Sequence, residues 1–140
     1  MDFINHAIAG AATGFYFGHP VAGAILAVTP DIVLGVTRKE VPNSLYRVTH
    51  SAFILVAVGV IMWLLFGYNS AAFTVSVIGS HLVLDSVTHG KVWGTRLFYP
   101  LSEKVLGNFQ EWEFFNRSWW FGLLVTSIWS AAWIFAQRLQ

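Results

Sequence analysis

The apolar run Ala71–Val87 carries His81 and Asp85 near its end, and His89 follows just past it. These three residues are spaced four apart. On a helix that spacing stacks side chains on one face. A membrane-like segment with two imidazoles and a carboxylate on a single face has few ways to fold. Ionisable groups at membrane depth are costly, turn towards a bundle interior and take partners there. The spacing also suits metal ligation, where two histidines one turn apart share an ion.

Composition extends this reading to the whole chain. The 140 residues are 56% hydrophobic and 11% charged, against about 25% charged in ordinary soluble domains. Mean hydropathy is +0.60. The expected class is all-α, a polytopic membrane helical bundle of about four to five short transmembrane helices in one domain, residues 1–140. Net charge is +1 and no arginine-rich tract is present, so nucleic acid is not an expected partner. With no cysteine, disulfides and thiolate sites are excluded, and any metal needs nitrogen and oxygen ligands. Asp2 stands where a secretory signal would be basic, so the first helix is expected to be retained.

In chain order the pattern predicts a helical hairpin over 3–36, broken at Gly18-His19-Pro20 and kinked or ended at Pro30. A basic loop, 37–50, follows. A second hairpin covers 51–88, turning at residues 67–70. Residues 90–117 read as an interfacial segment with an aromatic, acidic piece at 110–115. The last helix is 118–137, with Trp119 and Trp120 at one interface and Trp133 near the other. Both polar loops are basic, and the turns at 18–20 and 67–70 carry no Lys or Arg. The positive-inside rule then places the basic loops and the N-terminus in the cytoplasm.

That topology brings His6, Asp31, His50, His81, Asp85 and His89 to one end of the bundle. At ~1.5 Å per residue, His81 and His89 lie about 12 Å apart along a helix, too far to share one ion. His81 and Asp85, joined by a residue from elsewhere, make a natural set of ligands, and His89 falls nearer the headgroups. His19 falls at the opposite end and reads as structural. Plainer roles exist for each residue. Asp31 and Asp85 suit helix caps, His81 an interhelical hydrogen bond, His89 a C-terminal dipole partner, and Arg47 a headgroup contact.

Four motifs occur in order: Thr29-Pro30-Asp31, Tyr46-Arg47-Val48-Thr49-His50-Ser51, His81 to Gly90, and Tyr99-Pro100-Leu101-Ser102. Together they resemble the YdjM-like family of predicted inner-membrane metal-dependent hydrolases, over the stretch from His6 to Ser102. The resemblance implies a bacterial inner-membrane location, and His6, Asp31, His50, His81 and Asp85 as ligands or near-ligands of a metal. Two departures favour a single ion over a pair. Val33 stands where the family often has a second acid, and Tyr46 stands before Arg47 where many members have His.

On this reading His50, His81 and Asp85 hold a divalent metal, zinc being the first choice. Asp31 is a further ligand or the general base. His6 or His89 protonates the leaving group, and Thr49 and Ser51 orient the ligands. Arg47 takes a phosphate. The expected reaction is hydrolysis of a lipid or lipid-linked ester or phosphoester at the cytoplasmic membrane face. The alternative is a transport or ion-handling protein that uses the His/Asp row as a metal or proton path. A bundle this small is also a plausible homodimer.

Overall fold

A computed structural model describes residues 2–32, 43–90, 92–107 and 119–139. Helix α1 (Phe3–Tyr16) starts at Asp2, whose carboxylate accepts the Asn5 backbone N–H at 2.9 Å. This satisfies one of the donors that a helix start leaves open. Helix α2 (Pro20–Val28) opens on a proline, which lacks only an N–H that the first turn would not use. The α1–α2 pair packs through glycines. A Cβ on Gly10 would collide with Ala27 and the Gly23 backbone, and one on Gly23 would meet Gly10 and Gly14. Bare backbone is what lets two short helices come this close. Helix α2 tightens into a single turn of 3-10 helix, Thr29–Asp31, with Pro30 at its centre.

The short helix α3 (Ser44–Thr49) is capped by Asn43, which accepts the Tyr46 N–H at 3.0 Å. Helix α4 (Ala52–Phe66) is capped by Ser51. Gly67 (φ +83°) turns the chain into α5 (Tyr68–Thr88). Helix α6 (Trp119–Gln137) closes the described chain. Helix α1 occupies the middle, packed against α2, α5 and α6, and α5 also lies against α2 and α4. Ala9 and Leu84 form the buried apolar contact, with Val125 and Trp129 packed against them. Two side-chain hydrogen bonds tie α6 to α1: Thr126 to Asn5 at 3.0 Å and Trp129 to Thr13 at 3.2 Å.

The all-helical class therefore holds. Among the described residues there is no strand, only an isolated bridge between Thr95 and Leu106. Two helices are long and apolar enough to cross a membrane, Tyr68–Thr88 and Trp120–Gln137. Helix α4 has 15 residues, about 22 Å at ~1.5 Å per residue, which is short of a hydrocarbon core of ~30 Å. Helices α1 and α2, with 14 and 9 residues, are shorter still. Helix α4 is nonetheless apolar all round and largely exposed. Gly59 is its buried residue, while Leu64 and Leu65 are 73% and 67% exposed. A surface of that kind belongs against lipid or a partner.

Residues 92–107 belong to the segment read as interfacial. They fold into a tight loop, closed by the Leu106 N–H on the Thr95 carbonyl at 2.8 Å. The Ala52 N–H on the Leu97 carbonyl, also 2.8 Å, docks this loop on the start of α4. Residues 33–42, which include the first six positions of the expected basic loop, and the aromatic piece at 110–115 lie outside the described residues.

Candidate metal centre

Four separate pieces of chain supply the polar core. His6 comes from the first turn of α1, Asp31 from the end of the 3-10 turn, and His50 from the end of α3. His81 and Asp85 come from α5, and His89 from the residue that caps it. Each is buried; His81 and Asp85 are 0% exposed. Burial of six ionisable groups in one place is costly unless they neutralise one another or hold an ion.

Backbone carbonyls determine how two of the rings present themselves. His81 Nδ1 lies 2.7 Å from the Ala27 carbonyl, and His50 Nδ1 lies 2.9 Å from the Tyr46 carbonyl. A carbonyl can only accept, so each Nδ1 carries a proton and each neutral ring offers a lone pair at Nε2. Those two Nε2 atoms face each other at 3.0 Å. Carboxylate oxygens flank them. Asp31 Oδ1 is 3.2 Å from His50 Nε2, and Asp85 Oδ2 is 3.2 Å from His81 Nε2 and 3.4 Å from His50 Nε2. Four electron-rich atoms thus converge within 4.8 Å of one another. Ligand atoms held about 2.1 Å from a tetrahedral ion sit about 3.4 Å apart. The donor set of Asp31, His50, His81 and Asp85 fits a divalent cation.

Without an ion, a proton relieves the contact. The carboxylates of Asp31 and Asp85 raise His50 to about 9, outweighing burial, the larger single effect, which favours the neutral ring.

A second tier lies behind these atoms. His6 Nε2 is 2.9 Å from Asp85 Oδ1, and the His6 ring stacks on His81 at 3.7 Å. His89 Nε2 is 3.0 Å from the same Oδ1. Helical spacing put His89 on the Asp85 face, one turn further on, and its ring contacts that carboxylate. Helix α5 stops at Thr88, His89 adopts an extended backbone (ψ 143°), and its ring returns to Asp85.

The remaining expected residues divide. Thr49 Oγ1 touches the His50 ring at 3.0 Å. Ser51 touches no ligand; it accepts the Ile54 N–H and donates to Val48 O, as a cap does. Arg47 pairs with Glu103 at 3.1 Å, and Arg96 reaches the other oxygen of that carboxylate at 3.0 Å. Among the described residues, Arg47 Nε and Arg96 Nη1 are buried without a hydrogen-bond partner. Sequence reasoning passed over Arg96 and Glu103, which no spacing links to Arg47. It also gave no role to Tyr46, whose ring stacks on His50 at 3.9 Å and whose hydroxyl donates to the Trp93 carbonyl at 3.2 Å. His19 packs edge-on against Phe73, apart from these groups.

The family described as YdjM inner membrane protein matches residues 1–139. The chain belongs to that family. No curated protein and no solved structure matches it. Membership in the YdjM family and the two long apolar helices agree on a membrane protein. The buried Asp31, His50, His81 and Asp85 give this YdjM-family chain a group able to hold a metal ion.

Proposed function

We propose that this YdjM-family protein is a multi-pass, metal-dependent hydrolase of the bacterial inner membrane. Its substrate is a lipid or lipid-linked ester or phosphoester, met at the cytoplasmic face. One observation carries the reading: the lone pairs of His50 and His81 oppose each other at 3.0 Å between two carboxylates. That arrangement calls for a cation. A bound Zn²⁺ would supply hydroxide near neutral pH by lowering the pKa of its water to about 7.

The chain's own residues then have definite tasks. His50, His81 and Asp85 hold the ion, and the Ala27 and Tyr46 carbonyls orient the two rings. Asp31, the more exposed of the two acids, is a fourth ligand or the base that takes a proton from attacking water. His6 or His89 returns a proton to the leaving group. Arg47 and Arg96 have buried N–H groups to offer a phosphate. An apolar cavity of about 380 Å³ bordered by Phe53, Val56 and Phe98 lies beside that loop and has room for the chain of a lipid substrate. The basic residues of 37–50 and 90–117 support a cytoplasmic position for this end.

Elemental analysis of the purified protein beside Asp85→Ala tests the reading. Wild type is expected to retain a divalent metal through purification, and Asp85→Ala to lose it. Metal-stripped wild type should lose its esterase or phosphoesterase activity on lipid substrates and regain it on adding Zn²⁺. Full activity after stripping would overturn the proposal.

A further inference from the structure

The four-atom set uses only half of each carboxylate. Asp31 presents Oδ1 and Asp85 presents Oδ2 to His50 and His81. Of the opposite oxygens, Asp85 Oδ1 faces two other rings and Asp31 Oδ2 faces one of them. His6 Nε2 is 2.9 Å from Asp85 Oδ1 and 3.9 Å from Asp31 Oδ2. His89 Nε2 is 3.0 Å from Asp85 Oδ1. Two further imidazoles thus meet at Asp85 Oδ1, and one of them also approaches Asp31 Oδ2.

From this geometry we propose a second divalent cation position, formed by His6, His89, Asp85 Oδ1 and Asp31 Oδ2, so that both carboxylates bridge a pair of ions. The inference rests on the metal reading of the first set and extends it. Three observations support it.

The first is spacing. The separations of 2.9–3.9 Å around Asp85 Oδ1 and Asp31 Oδ2 bracket the ~3.4 Å between ligands of one ion. The second is preorganisation. His6 is clamped by its parallel stack on His81, 17° between planes, and is 1% exposed. His89 caps α5 with an extended backbone and holds its Nε2 3.0 Å from Asp85 Oδ1. The third is charge. Two buried carboxylates supply two negative charges, and carboxylates shared between ions are the usual bridge in two-metal sites that stabilise both attacking and leaving oxygens.

The competing role for His6 and His89 is hydrogen bonding alone, each donating Nε2–H to Asp85 and orienting it. Ion stoichiometry separates the two. Full-length protein in detergent is stripped, reloaded with Zn²⁺ or Co²⁺, freed of excess ion and analysed for metal per chain. The expected result is two ions for wild type, and one for His6→Gln and for His89→Gln. The Co²⁺-loaded wild type should also show a spin-coupled signal in electron paramagnetic resonance, absent in either variant. One ion per chain in wild type would overturn the second position and leave the first intact. No bound ion at all would overturn both. Because wild type alone decides the count, a variant that fails to fold does not blunt the test.

Discussion

At the scale of single residues, proton and metal compete for the same lone pairs. His50 titrates near 9 in the metal-free protein against an ordinary 6.5. A raised pKa means that the folded state binds the proton more tightly than the unfolded chain does. Its stabilising contribution is therefore complete below about 6.5 and lost as pH rises through about 9. Metal binding has the opposite sense, since ligation needs a neutral ring. The melting temperature of stripped protein should fall between neutral pH and pH 10. Zn²⁺ affinity over the same range should rise, by up to about tenfold per pH unit for each proton displaced. Melts and metal titrations at matched pH check both signs; parallel trends would contradict the competition. The residues of this competition were legible early, because His81 and Asp85 share a helix face and His50 opens an apolar run. The extended backbone of His89 was not legible, because spacing along an ideal helix cannot show where that helix stops.

At the scale of elements, the site depends on how closely α1 approaches α2. His6 rides on α1, and Asp31 follows directly from α2. A Gly23→Val substitution would put a side chain into the Gly10 and Gly14 backbone and force the pair apart. The expected cost exceeds the ~1–3 kcal/mol of ordinary overpacking, since backbone must move. Both the melting temperature and the retained metal should drop. Ser51→Ala makes a useful contrast. It removes only the α4 cap, worth about 1 kcal/mol, and should lower the melting temperature while bound metal per chain stays the same. Residue order shows Gly10, Gly14 and Gly23, and only packing shows that they meet. The docking of the 92–107 loop on α4 through the Leu97 carbonyl had no counterpart in residue pattern, because backbone-to-backbone bonds between distant segments leave no side-chain signature.

At the scale of the whole molecule, all the ionisable core groups gather at one end, and the turn at Gly67 marks the other. The absence of cysteine makes the orientation directly measurable. A single cysteine at exposed Asn69 should react with a membrane-impermeant maleimide in spheroplasts. One at exposed Lys104 should react only after lysis. The reverse pattern would invert the proposed orientation and move the hydrolytic site to the outer face.

What residue order alone determined is chemical. A chain with this little charge and no thiol must cover apolar helices with something other than water, and must bind any metal through nitrogen and oxygen. The four-residue spacing of His81 and Asp85 names the first two donors. What only the tertiary structure decided is geometric. Ala27 and Tyr46, distant from α5 in sequence, hold the imidazole protons outward, and His89 gives Asp85 a partner on its other oxygen. Lone pairs repel unless a cation lies between them, and whether they meet is settled by packing across the bundle.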